Sequence, residues 1–470
     1  MSRVSLCMIV RDEADVIARC LQNTVGLVDE IVVVDTGSTD DTIAICRSFG
    51  ARIHTFTWRN DFAAARNHSL EQASGEWVLV LDADDELPDH ISRDVRALTE
   101  DENCDAYFFV TRNLVGDPRH PLILNYAQLR LFRNQRRFRY AGAIHEAILR
   151  LPDARYGMAA ITVTHRGYLD GVVQNRKKIE RNMLILGEEI RHRPLDPSLH
   201  YYMGNELLRG GEPARAACHY EQATTLLGRG DMRYWLPELP AKYAYALWQT
   251  GRTDPAVAVV RRALSQYPAY TDLWFLLGSL QLDRRRMDLS RAAFQECLRL
   301  GTPPPFFPTQ EGIGSYLPAF FLGVIAFEER NIADARIFFA RSWESNPDYV
   351  PAAAQLCLCD WIEGKYAAVD RRLQSIAPHQ ADDPAWEVVW LVHESLVTGR
   401  IHIRLDDPRH TSSLLACLSA LASFGCTEPV GRLLRQLPSS VRSIAMREQW
   451  YYELSGRCWL AAYENLEWRR

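Results

Sequence analysis

The stretch Trp77–Glu86, WVLVLDADDE, sets the frame for the rest of the chain. From Trp77 to Leu81 every residue is apolar, a run suited to a strand buried on both faces of a sheet. Asp82, Asp84, Asp85 and Glu86 follow, with only Ala83 between them. Open α/β sheets bind ligands outside the carboxyl ends of their strands, so these acids fall where a ligand would lie. Carboxylates this close repel one another unless solvated or neutralised, and a hard divalent cation takes carboxylate oxygens together with phosphate oxygens. The pattern suits equally a solvated turn that opens a helix, because Asp also caps helices.

Upstream, strand and helix alternate. Val4–Val10 is an apolar strand candidate, followed by a helical pattern through Leu21. A second strand, Glu30 to Val34, runs into Asp35-Thr36-Gly37-Ser38-Thr39-Asp40-Asp41-Thr42. There the chain turns on Gly37 and opens a helix expected to be capped by Ser38 or Thr39. Arg52 to Phe56 is a third strand, and Phe62 to Ala73 a helix carrying Arg66 and Asn67. The alternation predicts a parallel α/β sheet with Asp35 and Asp82 on one rim. On that rim Asp35 can accept from a base N–H or a ribose hydroxyl, and Arg66 can reach base or phosphates as a fork donor. Asp35 also reads as a turn former, and Arg66 as a surface charge.

Four blocks, CMIVRDEADVIARCL (7–21), VVVDTGSTDDT (32–42), DFAAARN (61–67) and VLVLDADDEL (78–87), resemble in order and spacing those of family 2 glycosyltransferases of GT-A fold. The resemblance covers about the first 170 residues. It implies that Asp35 contacts the nucleotide base and that Arg66 helps to bind the nucleotide. It also implies that the Asp-x-Asp holds Mn2+ or Mg2+ on a sugar-nucleotide diphosphate, Asp84 as metal ligand and Asp82 on the nucleotide sugar. Where the family commonly has Asp-Asp-Gly-Ser, this chain has Asp35-Thr36-Gly37-Ser38; uridine remains the expected base.

Further strands are expected at Ala106–Arg112, Leu129–Arg133 and Ala160–Thr164, with a loop at Gly116–His120. The segment from Arg130-Leu131-Phe132-Arg133 to Gly142-Ala143-Ile144-His145-Glu146 resembles a block of a bacterial subgroup that carries helical repeats. Inverting transfer needs a carboxylate to take the acceptor's proton, and Glu146 is the candidate base. The Glu-Asp pair that usually supplies this acid is absent, and a His145–Glu146 pair bracing a loop is the alternative. His165 is the candidate metal or phosphate partner. Within the cluster Arg130, Arg133, Arg136, Arg137 and Arg139, Arg133 is the expected phosphate fork, with His145 beside the donor; Arg136 and Arg137 suit a solvated face.

Beyond a connecting helix at Gln174–Arg193 the pattern is helical and repetitive. Ala244, Val260 and Ala263 recur as Gly278, Phe294 and Cys297, each 34 residues on, the period of the tetratricopeptide repeat. The expected architecture is therefore α/β plus all-α. It comprises a Rossmann-like mixed-sheet GT-A domain (1–170), a linker helix (171–196), four or five tetratricopeptide-like repeats forming a solenoid (197–381), and a C-terminal helical region (382–470). That last region is rich in large aromatics, among them Trp386, Trp390, Trp450, Tyr451, Tyr452, Trp459 and Trp468, suited to a cap or a homodimer contact. Solenoids bind extended partners, so a protein or peptide acceptor is expected, as in the sublancin-type peptide S-glycosyltransferases that the chain resembles. A saccharide or lipid-linked acceptor, or an adaptor that has lost catalysis, are the alternatives.

The net charge of −5 gives no reason to expect nucleic acid, and no apolar run reaches membrane-spanning length. Eleven cysteines are scattered through apolar patterns without zinc-type pairs. The expected location is cytoplasmic.

Overall fold

A computed structural model describes residues 2–437 except 89–90, 117, 119–120, 136, 170–171, 229, 232, 377–383 and 403–407. Arg136, most of the Gly116–His120 loop, and Trp450, Tyr451, Tyr452, Trp459 and Trp468 lie outside the described residues.

The first half runs β1 (Val4–Val10), α1 (Ile17–Gln22), β2 (Glu30–Asp35), α2 (Thr42–Ser48), β3 (Arg52–Thr55), α3 (Phe62–Gln72), β4 (Trp77–Val80), β5 (Asp85–Glu86), α4 (Ser92–Glu100), β6 (Ala106–Gly116), β7 (Leu122–Arg133), β8 (Tyr140–Ala141), β9 (Ala147–Ile148) and β10 (Tyr156–Leu169). Helices follow: α5 (Val172–His192), α6 (Pro197–Arg209), α7 (Pro213–Leu226), α8 (Leu239–Gln249), α9 (Thr253–Gln266), α10 (Thr271–Asp283) and α11 (Met287–Leu300). A two-residue strand β11 (Thr309–Gln310) precedes α12 (Tyr316–Glu328), α13 (Ile332–Ser345), α14 (Val350–Ile362), α15 (Tyr366–Gln374), α16 (Pro384–Thr398), α17 (Pro408–Ser423) and α18 (Thr427–Leu434). The chain divides into two compact units, residues 1–276 with 303–311 and residues 277–302 with 312–470.

In the sheet the strands lie in the order β3-β2-β1-β4-β7-β6-β10-β5, with β11 on β7. Strands β1 to β4 are mutually parallel, and β7 enters antiparallel to β4, so the sheet is mixed. Alternation along β4 explains its unbroken apolar run. Trp77 and Leu79 pack into one core with Leu6, Met8 and Ile17, while Val78 and Val80 pack into a second with Leu70 and Phe132 on the face of α3. Chain order reverses where β1 lies between β2 and β4, the switch point at which such sheets form a ligand crevice. The later strands are longer than the sequence suggested. Strand β10 continues past Thr164 to Leu169 because β5 and the far end of β6 still offer partners.

Three of the helical pairs are closed by a glycine. A Cβ on Gly204 in α6 would lie 2.6 Å from the Tyr220 ring of α7; in the other unit, Cβ atoms on Gly278 and Gly323 would lie 2.8 and 2.6 Å from Phe294 and Phe339. Among the described residues no helix is long and apolar enough to cross a membrane, and the ten described cysteines are free.

Gly323→Val should destabilise by about 1–3 kcal/mol through overpacking. Gly187→Ala, in α5 with nothing within 4 Å, should stabilise by up to about 1 kcal/mol. Chemical denaturation of both variants checks the two signs, and a neutral Gly323→Val would contradict the glycine-closed pairs.

Candidate active site

Two loops knit together at the switch point. Asp35 ends β2 opposite Val10, and its Oδ1 accepts from the Ser38 N–H at 2.9 Å across the Gly37 turn, where φ is +112°. The expected Ser38 or Thr39 cap is not formed: α2 begins only at Thr42. Ser38 Oγ instead accepts from the Asp12 N–H at 3.1 Å, and Asp12 Oδ1 accepts from the Thr39 N–H at 2.7 Å. The neighbouring β1–α1 loop claims these groups, a tertiary contact that local propensity does not contain.

Helix α3 carries the next layer. Asp61 caps it, accepting from the Ala64 N–H at 2.8 Å. Arg66 donates through Nε to Glu146 Oε1 at 2.5 Å and through Nη2 to Asp82 Oδ1 at 2.6 Å, with its guanidinium 5.5 Å from the centre of the Tyr140 ring. Asn67 grips the Tyr140 backbone, donating to its carbonyl and accepting from its N–H, each at 2.9 Å. One helical turn thus holds both Glu146 and the hairpin that bears it.

After Asp82 the chain forms β5, which pairs with β10 so that His165 lies opposite Asp85. Asp85 is buried and its oxygens are taken: Oδ2 by Arg130 Nη1 at 2.8 Å and by the Asp82 N–H at 2.8 Å, Oδ1 by His165 Nδ1 at 3.0 Å. It therefore positions its neighbours, a role the sequence reading did not assign. Asp84 Oδ1 lies 3.3 Å from His165 Nδ1.

The structure does not bring Arg133 to this rim. It pairs with Trp77 at the start of β4, its guanidinium 4.7 Å from the Trp77 ring centre and its Nε 3.6 Å from Asp105. Arg130, three residues back along β7, or roughly 10 Å, is the arginine that reaches Asp82 and Asp85. Strand β7 is bulged at this point: Tyr107 pairs with Leu131 and Phe108 with Leu129, so Arg130 is the extra residue and simple alternation does not place it. His145, at φ +51°, turns its ring away from Glu146 toward α6, stacking 4.4 Å from Tyr202 with Nε2 3.2 Å from Glu206.

Burial works against the charge on Asp82, but Arg66, Arg130 and His165 outweigh it and hold its carboxyl well below the usual range. Asp84 differs: burial, joined by Asp82 and Asp85, pushes its pKa up despite His165. For His165, burial opposes protonation, but the hydrogen bond to Asp85 and the charges of Asp84 and Asp82 raise its pKa. An imidazolium among three carboxylates occupies the electrostatic role of a cation. Asp82, Asp85 and His165 present ligand atoms within 4.8 Å of one another and Asp84 Oδ1 lies 3.3 Å from His165 Nδ1; since Asp85 is already engaged, the carboxylates of Asp82 and Asp84 beside the imidazole are the donors that suit Mn2+ or Mg2+. Gly167 leaves the approach open, since a Cβ there would collide with Asp84 Oδ2 and lie 2.9 Å from His165 Nε2.

This geometry agrees with what the chain is similar to. Residues 5–147 match the model of glycosyl transferase family 2, and residues 243–303 match a tetratricopeptide repeat. A TPR repeat-containing protein of Synechococcus elongatus is 32% identical over 315 residues, 63% of this chain and 75% of that protein. The chain belongs to glycosyl transferase family 2. The SPbeta prophage-derived glycosyltransferase SunS of Bacillus subtilis is 29% identical over 212 residues, 43% of this chain and 48% of SunS. An uncharacterised glycosyltransferase of Rickettsia felis is 32% identical over 107 residues, 23% of this chain and 38% of its own. The Bacillus and Rickettsia relatives are named glycosyltransferases, and this family 2 protein is a glycosyltransferase with tetratricopeptide repeats following the GT-A sheet.

Because the pKa values of Asp84 and His165 are both raised, protons compete with a metal for these groups at higher pH than usual. If Asp84 and His165 hold Mn2+, affinity should therefore climb as pH rises past the ordinary imidazole range, with proton release on binding, and Asp84→Asn should weaken it about 10–100-fold. Calorimetry in buffers of different ionisation enthalpy reads both, and binding without proton release would contradict the assignment.

Proposed function

We propose that this glycosyltransferase is metal-dependent and inverting, and that it moves a sugar from a nucleotide sugar, most simply a UDP-sugar, to a Ser, Thr or Cys side chain of a protein or peptide. The observation that carries the reading is the single guanidinium of Arg66 joining Asp82 of the Asp-x-Asp to Glu146. Asp35 would hold the base, Asp84 and His165 the metal, and Asp82, Arg66 and Arg130 the diphosphate end of the donor. A bound Mn2+ or Mg2+ supplies Lewis-acid neutralisation of the departing diphosphate.

Glu146 would take the proton from the acceptor hydroxyl or thiol as its oxygen or sulfur forms a bond to the anomeric carbon. The bond from that carbon to the phosphate oxygen breaks, and the electron pair leaves with the diphosphate. A one-step displacement of this kind inverts the anomeric centre. Arg130 and Arg66 supply preorganised positive charge, which is worth more in a half-buried crevice than in water. The repeats support a polypeptide acceptor because arrays of this kind bind extended chains.

Incubation of UDP-, GDP- and dTDP-sugars with Mn2+ or Mg2+ and no acceptor should show slow hydrolysis of one donor. Asp84→Ala should reduce it at least about 100-fold. Glu146→Gln should lower transfer by about 10²–10⁴-fold. If no donor is hydrolysed, the catalytic reading fails; if Glu146→Gln transfers normally, the base lies elsewhere.

A further inference from the structure

Beside Glu146 the first helical pair and the segment that follows it carry an unexplained group of aromatics. Trp235 turns inward, 1% exposed, and stacks on Tyr201 at 4.4 Å with an interplanar angle of 7°. That anchor fixes its neighbour Tyr234 outward, 52% exposed, with its hydroxyl 2.6 Å from the hydroxyl of Tyr202. The other face of the arrangement is closed by His145, whose ring stacks on Tyr202. The left-handed backbone at His145 is what separates the two consecutive side chains, sending the imidazole to Tyr202 and the Glu146 carboxylate to Arg66. Burial raises the pKa of both phenols; at Tyr202 the Tyr234 hydroxyl adds most to it, and Glu238 and Glu146 contribute less at each.

The carboxylates around the pair are already matched. Glu206 faces His145 and Arg209, Glu238 is engaged by Tyr201 and Lys242, and Glu146 is held by Arg66. What remains for a ligand is an amphipathic surface of rings and hydroxyls. Rings of this kind supply contact area at low entropic cost, and their hydroxyls can bond to peptide groups.

We propose that Tyr202 and Tyr234 form the platform on which the acceptor polypeptide lies as its Ser, Thr or Cys side chain meets Glu146. The proposal rests on the transferase reading above and names the acceptor subsite of that same centre. A polypeptide is the occupant because Tyr202 belongs to α6, the first helix of the repeat array, and Tyr234 to the link between its first two pairs. The platform is therefore continuous with a surface type that binds extended chains.

The test is a partition experiment in which each reaction supplies its own control. The full-length enzyme is given its labelled nucleotide sugar, Mn2+, and a library of decapeptides with one central Ser, Thr or Cys. Label in peptide is divided by label in free sugar. Tyr234→Ala should lower this transfer-to-hydrolysis ratio about tenfold, through the peptide KM. An unchanged ratio would overturn the proposal. So would an enzyme that hydrolyses donor yet labels no peptide, or one that, in a parallel reaction given chito-oligosaccharides, labels those alone. Absence of hydrolysis by the unaltered enzyme strikes instead at the transferase reading, and the platform falls with it.

Discussion

One guanidinium holds the site together. Arg66 is almost wholly enclosed, and it donates to Asp82 on one side and Glu146 on the other, residues 16 and 80 positions away in the chain. Removing one partner from a buried ionic network leaves an uncompensated charge and typically costs about 3–5 kcal/mol. Lysine could not replace it, because a point charge on a flexible stem cannot span two carboxylates in fixed directions. Around this bridge Arg130 balances Asp85, and His165 balances Asp84. Three aspartates within four residues are tolerated because arginine and histidine side chains come from strands that follow much later.

Those later strands explain why some of the site was legible and some was not. The run Trp77–Leu81, the acids after it, Asp35 at the end of β2 and Arg66 on α3 all obey local rules: strand burial, strand end, helix face. The parallel half of the sheet followed from the same rules, and the tetratricopeptide pairs followed from the 34-residue recurrence of Ala244, Val260 and Ala263 as Gly278, Phe294 and Cys297. Arg133 illustrates the limit. Its choice over Arg130 required the register of β7 against β4, which is set by pairing over more than 50 residues. The bulge at Arg130 adds a second tertiary feature that alternation in the sequence does not contain.

Adjacent residues posed a sharper problem. His145 and Glu146 read as one unit in the sequence, yet a positive φ at His145 sends them to different partners. Nothing in the composition of Ala-Gly-Ala-Ile-His-Glu announces a left-handed histidine, and it persists because Tyr202 and Glu206 on α6 hold the ring. Ser38 and Thr39 followed the same logic, with a nearby loop outcompeting the helix for their hydrogen bonds. Local propensity lost in each case to a tertiary partner that the chain supplies from elsewhere.

The first repeats are tied into the compact unit that bears the sheet by more than chain continuity. Between α11 and α12 the residues 303–311 return to the sheet, where β11 pairs with β7, Glu311 meets Arg112 at 3.1 Å, and Phe306 packs edge-on against Phe108 at 5.3 Å. The start of α10 holds this strap: half-buried Asp272 accepts from Thr309 Oγ1 at 2.7 Å and from the Gln310 N–H at 3.0 Å. Burial raises the Asp272 pKa to about 7 in spite of these bonds, so the anchor is a group that folding has partly neutralised. With His145 bound to α6 at one end and β11 bound to β7 at the other, the helices through Leu276 share the stability of the catalytic sheet. At the candidate site the link is His145: its ring is held by Tyr202 and Glu206 of α6, and the next residue in the chain is Glu146.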